Sequence, residues 1–225
     1  MQSLIVGAGE GFSASIARRL AREGYAVALA ARDTGKLAAL AAETRATTHA
    51  CDAADPDQVA ALFATEQARS ADIVLYNPSY RIRGPITDLD PAEVRRSLEV
   101  TAFGAFLVAQ QAARCMIPRG RGTILLTGAS AGVKGFARSA PFAMGKFALR
   151  GLAQSMAREL APQGIHVAHF VIDGQIRNPG RAERADQPDS MLDPDAIAES
   201  YWHVLNQPRS AWTWEIELRP WVEKF

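Results

Sequence analysis

The opening βαβ pattern constrains the fold more than any other stretch. Ser3 to Val6 reads as a short buried strand, and Gly7-Ala8-Gly9-Glu10-Gly11-Phe12-Ser13 follows it directly. A helix comes next, with Ile16, Ala17, Leu20 and Ala21 on one face and Gly24 at its end. Tyr25 to Ala31 is a second apolar strand. Strand, glycine-rich turn, helix and strand in so few residues make a dinucleotide-binding unit. The glycines let backbone N–H groups and the helix N-terminus approach a pyrophosphate that side chains would keep away. Two glycine spacings compete. G-x-G-x-x-G meets Phe12 at its third glycine, and G-x-x-x-G-x-G meets Ser13. A glycine-rich turn with no ligand is the alternative use of this stretch.

The second strand ends Ala30-Ala31-Arg32-Asp33. An acid at such a strand end reads a ribose 2′-hydroxyl, and an arginine accommodates a 2′-phosphate. Ala31 followed by Arg32 therefore favours NADP(H) over NAD(H). Capping of the next helix, Thr34 to Glu43, is the other use open to Arg32 and Asp33.

Further strands are expected at Ala46–Cys51, Asp72–Tyr76, Gly122–Thr127, Ile165–Ile172 and Ala211–Leu218. Helices are expected at Pro56–Gln67, Pro91–Pro118, about 141–161 and Asp193–Asn206. Seven strands separated by helices give an α/β fold. The expected architecture is one Rossmann-type, doubly wound parallel sheet spanning residues 1–225 as a single domain. Residues 177–190 are polar and carry Pro and Gly, as in a mobile flap over a site.

Composition narrows the function. The 225 residues are 48% hydrophobic with net charge +1, enough chain for a large core and too balanced for nucleic-acid or anionic-membrane binding. The N-terminus has no basic lead and too short an apolar run for a signal peptide, and no stretch is expected to span a membrane. Cys51 and Cys115 stand far apart and read as buried thiols of a cytoplasmic protein. His166 and His169 have odd spacing on one strand, which is poor metal geometry, so no metal is expected, and His49 and His203 also read as structural. Trp202, Trp212, Trp214 and Trp221 read as core or interface packing rather than ligand stacking.

Lys146 stands inside an apolar helix, four residues after Phe142 and on the same face. A lysine there either snorkels to water or holds something polar. Taken in order, Gly7 and Gly11 after the first strand, Asp52, Asn77 after the fourth, Ala129-Ser130 after the fifth and then Lys146 resemble the short-chain dehydrogenase/reductase family, over nearly the whole chain.

The resemblance implies an oxidoreductase in which a tyrosine exchanges a proton with the substrate oxygen. A lysine four residues on holds the nicotinamide ribose and lowers the tyrosine pKa. Lys146 matches that lysine, but Phe142 stands at the tyrosine position, Ala129 at the orienting serine and Thr101 at the asparagine that anchors a relay water. The family's Asn-Asn-Ala-Gly becomes Tyr76-Asn77-Pro78-Ser79, and its Pro-Gly after the sixth strand becomes Asp173-Gly174. Cofactor contacts are implied at Gly7, Gly9, Gly11, Phe12 and Ser13, at Arg32, Asp52 and Ala53, at Asn77 and Pro78, and at Lys146, Gly174 and Ile176. An acid at Asp52 would accept from the adenine amino group.

Ser130 and Tyr80 are the candidate substitutes for the missing hydroxyls: Tyr80 follows the carboxyl end of the fourth strand, where such sheets bind ligands, and Ser130 stands one place after Ala129 and would serve if the loop is shifted. Two functions remain open. One is an NADP(H)-dependent oxidoreductase acting on a small carbonyl, alcohol or activated alkene with an atypical proton donor. The other is an NADP(H)-binding pseudoenzyme with a regulatory or partner-binding role. The resemblance also implies a homodimer or homotetramer, paired through the long helix and the Lys146 helix.

Overall fold

The computed structural model describes residues 1–223, so the last two positions of the expected 1–225 domain lie outside the described residues. Its strands are β1 (Gln2–Val6), β2 (Ala26–Ala31), β3 (Thr47–Ala50), β4 (Ile73–Tyr76), β5 (Gly122–Thr127), β6 (Ile165–Ile172) and β7 (Glu215–Leu218). They form one parallel sheet in the order β3-β2-β1-β4-β5-β6-β7. Sheet growth reverses between β1 and β4, and a crevice opens beyond the carboxyl ends of strands at such a switch point. The register fixes what emerges there. Val6 pairs with Ala30 and with Tyr76, so the glycine turn, Arg32 and Asn77 leave the sheet along one edge.

The helices are α1 (Phe12–Arg22), α2 (Ala38–Thr44), α3 (Pro56–Ala64), α4 (Glu66–Arg69), α5 (Pro91–Leu98), α6 (Gly104–Met116), α7 (Ala140–Leu160) and α8 (Pro194–Leu205). Alternate residues of the strands enter opposite cores. Ile165 and Val167 of β6 pack with α3, α6 and α7, while Ala168, Phe170 and Ile172 pack with α1, α2 and α8. Burial on both faces explains why these strands read as continuous apolar runs.

Three helices start at Asp-Pro. Asp55, Asp90 and Asp193 accept from backbone N–H groups one or two residues into α3, α5 and α8, with proline in the first turn. Neither α1 nor α7 has a side-chain cap. Both of these begin at the crevice.

Several expectations from the sequence are corrected, among them the helix expected over Pro56–Gln67, which divides into α3 and α4. The helix expected from Thr34 opens as a 3-10 turn at Gly35–Leu37, because Asp33 Oδ1 accepts from Gly35 N at 3.0 Å. The helix expected over Pro91–Pro118 contains a π turn at Glu99–Phe103 and ends its α portion at Met116. There the Tyr76 hydroxyl donates to the Val100 carbonyl, taking an acceptor from the helical ladder. The last strand begins at Glu215 rather than Ala211. Thr213 spends its backbone on side chains, its N–H on Gln207 Oε1 at 2.8 Å and its carbonyl on the His166 ring at 2.8 Å. The expectation that no stretch is long and apolar enough to span a membrane fails for Pro91–Arg119, whose mean hydropathy reaches 1.3. Ala105, Val108, Ala109, Ala112 and Met116 of that stretch pack on the sheet, which accounts for much of its apolar character.

The remaining cysteine, histidine and tryptophan expectations have specific outcomes. Cys51 is buried just past β3, and burial pushes its thiol up to about 11; Cys115 is only half-buried. His166 stacks on Trp212 with ring centroids 4.6 Å apart. The tryptophans sit at the margins of the cores with polar neighbours rather than inside them. Arg19 lies over Trp202, Arg150 near Trp214, and Trp221 donates to Asp189.

Candidate active site

Gly7 leaves β1 at φ +79°, and a Cβ there would lie 2.7 Å from the Pro78 ring. Only glycine fits both the backbone and the contact. At Gly9 an added Cβ would meet nothing within 4 Å, and at Gly11 only Asn178 Cβ at 3.9 Å, so the turn faces open space. Ser13, at the third glycine site of one spacing, turns its hydroxyl back to Gly9, accepting from its N–H at 3.0 Å. Gly11 and Phe12 reach a cleft of about 1120 Å³. The first turn of α1 therefore presents uncapped N–H groups where the family places a pyrophosphate.

Asn77 lines the same cleft and donates to the Gly7 carbonyl at 3.4 Å, tying the β4 exit to the turn. Gly174, at φ +151°, and Ile176 line it from beyond β6, where Ile176 bridges to Leu192. Residues 177–190 form an irregular segment with one small bridge, Asn178 to Arg181, and its Arg177 pairs with Asp193. Arg32 is exposed and has no hydrogen bond or ion pair among the described residues, whereas Asp33 caps its own turn. Asp52 accepts from Ala54 N at 3.0 Å, and buried Ala53 follows it toward α6, where a Cβ on Gly104 would lie 2.6 Å from the Ala53 carbonyl. Neither Asp52 nor Ala53 lines the main cleft.

Lys146 does not snorkel. It is 3% exposed, and its Nζ donates to the Thr127 carbonyl at 2.7 Å. With no carboxylate beside it, burial pushes its pKa down to about 7. His169 lies nearby, fully buried, with Nδ1 3.0 Å from Glu215 Oε2. Its Nε2 faces Gly128, where a Cβ would come within 2.2 Å. Burial pushes this imidazole down to about 4, so it is neutral at physiological pH, while Arg150 holds Glu215 below the usual carboxylate range.

Phe142 and Lys146 share the cleft, with Nζ 5.8 Å from the ring centroid. Ala129 and Ser130 line it as well. Thr101 does not. Its side chain is fully buried, accepts from Tyr80 N at 3.3 Å and packs where a Cβ on Gly145 would lie 2.9 Å away. Tyr80 also departs from expectation. Its hydroxyl donates to Glu93 at 2.5 Å and its ring lies under Arg96, off the cleft. The bond to Glu93 raises its pKa, the opposite of what a proton donor near neutrality needs.

Several cleft residues escaped the sequence reading. Arg81, Arg83, Arg138 and Arg181 line it, as does Ser139 just before α7. Lys134 pairs across it with Asp173 at 3.6 Å. The readable signal was Arg81-Ile82-Arg83, two cations placed directly after β4 on the ligand-binding side.

Residues 2–187 match the short chain dehydrogenase family. The chain belongs to this family. It is 27% identical to an uncharacterized oxidoreductase of Staphylococcus aureus, an alignment covering 97% of this chain and 96% of that one. A crystal structure of a short-chain dehydrogenase from Rhodopseudomonas palustris shares 35% identity, with 98% of each chain covered and a TM-score of 0.84. An alcohol dehydrogenase from Thermococcus sibiricus superposes with a TM-score of 0.86 at 22% identity, covering 100% of this chain and 98% of that one, a likeness of fold alone.

As a short-chain dehydrogenase, the protein is an NAD(P)-dependent oxidoreductase. The binding-only alternative is not favoured. The geometry fits the family's cofactor: an open glycine turn, an uncapped helix start, and a buried amine at the cleft wall.

Proposed function

We propose that this short-chain dehydrogenase uses NADP(H) to reduce or form a small carbonyl compound, or to reduce an activated alkene, without a tyrosine acid. One observation carries the reading. Among the described residues lining the cleft there is no Tyr, His, Cys or Glu, and the tyrosine position holds the ring of Phe142. When bound, the nicotinamide supplies or accepts the hydride. The chain's own groups do the rest. The glycine turn and α1 would hold the pyrophosphate, Arg32 a 2′-phosphate, and Lys146 the ribose hydroxyls.

Lys146 keeps its ammonium fixed by the Thr127 carbonyl, so positive charge stands beside the reacting centre at and below neutral pH. The Ser130 hydroxyl makes no hydrogen bond among the described residues and is available to orient a substrate oxygen. Solvent entering the open cleft would deliver the proton. This chemistry suits substrates that need little acid assistance, such as quinones and enones.

The exposed apolar side chains of Phe103, Phe106, Met144 and Phe147 on α6, α7 and the π turn support a homodimer or homotetramer. The test of the main reading is NADPH consumption by stoichiometric protein against ketones, aldehydes, quinones and enones. Consumption with enones or quinones in preference to ketones is expected, and silence with every class would overturn it. Arg32→Ala is expected to weaken NADPH binding by about tenfold and to leave NADH binding unchanged. Equal NADPH affinity in that variant would remove the cofactor preference.

A further inference from the structure

We propose that the substrate of this cleft carries a carboxylate or a phosphate, held by Arg81, Arg83, Arg138 and Arg181. The proposal rests on the oxidoreductase reading above and specifies its substrate class. The four guanidiniums arrive from three separate segments. Arg81 and Arg83 lie between β4 and α5, Arg138 between β5 and α7, and Arg181 beyond β6. The first two segments are tied together, since Gly84 N donates to the Arg138 carbonyl at 3.1 Å.

None of the four makes an ion pair among the described residues. Elsewhere arginines find acids readily: Arg18 pairs with Glu43, Arg150 with Glu215, and Arg184 with Asp186. Asp173 is the one carboxylate lining the cleft among the described residues, and Lys134 takes it. The chain's net charge is only +1, so this concentration is local and not a by-product of a basic protein. Like charges gathered without a counter-ion repel one another, and an incoming anion removes that repulsion.

The centre of the cluster is Arg81. Its guanidinium lies over the Phe142 ring, 4.7 Å from the centroid, at the position where the family has its tyrosine. The face of the ring attracts the cation and orients its plane, leaving N–H edges free for the paired oxygens of a carboxylate or phosphate. A tyrosine hydroxyl has no need of such a neighbour. Burial, together with the charges of Arg83 and Arg181, lowers the pKa of Arg81, which places those two side chains within electrostatic reach of it. Arg138 is held in the left-handed backbone region at φ +61°, a conformation that a non-glycine residue rarely adopts.

The cofactor's own phosphates have other partners at hand. The glycine turn and the start of α1 supply N–H groups, and Arg32 stands at the end of β2.

The experiment compares matched pairs on the NADPH-saturated protein by ligand-observed NMR, which needs no turnover. One pair is 4-oxopentanoate and its methyl ester, and the other is dihydroxyacetone phosphate and dihydroxyacetone. At least one anion is expected to bind about tenfold or more tightly than its neutral partner, and whichever pair shows the larger ratio identifies carboxylate or phosphate as the group recognised. That preference should fall as salt rises and shrink to about threefold or less in Arg81→Gln/Arg181→Gln, with NADPH affinity within about twofold of wild type. Both positions are exposed, and an unchanged thermal midpoint confirms that the variant is folded.

Equal binding of anion and neutral partner in both pairs would overturn the proposal. A variant that loses NADPH affinity instead would also overturn it, by assigning the arginines to the cofactor. If the wild-type protein fails to bind NADPH, the cofactor reading fails by itself. The same pairs titrated on the cofactor-free protein still decide the arginine cluster.

Discussion

The two walls of the cleft have kept different things. On one wall, Gly7 is wedged against Pro78, α1 opens without a cap, and Lys146 is buried on the Thr127 carbonyl. On the proposed reading, each of these features serves a dinucleotide. On the other wall, the Phe142 ring lies under the Arg81 guanidinium and Ala129 lines the cleft, at the positions where the proposed reading sets the family's tyrosine and serine. Cofactor geometry and proton chemistry are thus separable in this fold. The first depends on backbone shape and one amine, and the second on a few hydroxyls that can be exchanged without disturbing the sheet.

If the walls are separable, restoring the hydroxyls should restore ordinary chemistry. Phe142→Tyr with Ala129→Ser is expected to raise ketone reduction by about 10²-fold or more, the usual worth of a positioned general acid. NADPH affinity should stay within about twofold. Steady-state kinetics with a neutral ketone and fluorescence titration of NADPH check both halves, and an unchanged rate would mean that the second wall has diverged beyond its hydroxyls.

The first wall can be broken at Lys146. Lys146→Met is expected to weaken NADPH binding by about tenfold or more while stabilising the fold. The sign follows from the pKa. In the folded chain Lys146 titrates at about 7, against about 10.4 when unfolded. Between those values the unfolded chain binds the proton that the folded chain has released, so wild-type stability rises with pH through that window. Below about pH 7 the full cost of burying the ammonium is present. Allowing for the lost bond to Thr127, the methionine variant should be about 1–3 kcal/mol more stable at pH 6, with the gap closing toward pH 10. Urea unfolding at several pH values measures it, and a gap that widens with pH would contradict the assignment.

The smallest effect separates a cleft residue from its neighbour. Tyr80→Phe removes a hydroxyl held by Glu93 and is expected to lower stability only slightly, with no change in NADPH oxidation. Ser130→Ala, which removes a hydroxyl in the cleft, should lower that rate. A loss of activity in the Tyr80 variant alone would reverse the roles given to them.

Sequence patterns that act locally were legible. The glycine turn follows from its own residues, the three Asp-Pro caps from a dipeptide, and the shared face of Phe142 and Lys146 from helical spacing. What escaped depends on contacts between distant residues. The π turn exists because Tyr76 reaches the Val100 carbonyl, and it carries Thr101 against Gly145 instead of into the cleft. Tyr80 sits at a strand exit that ordinarily faces ligand, yet Glu93 and Arg96 of α5 draw it aside. The arginine cluster joins three segments spread over a hundred residues, from Arg81 to Arg181, and no window along the chain contains it.

The most direct measurement follows the hydrogen itself. NADPH deuterated at both C4 positions of the nicotinamide would be mixed with stoichiometric wild-type protein and an enone, and the product analysed by mass spectrometry. The account predicts deuterium at the carbon that receives hydride, with the second hydrogen coming from solvent. Tight NADPH binding with no label in any enone or ketone product and no NADPH oxidation by quinones, while Phe142→Tyr/Ala129→Ser transfers label readily, would contradict it.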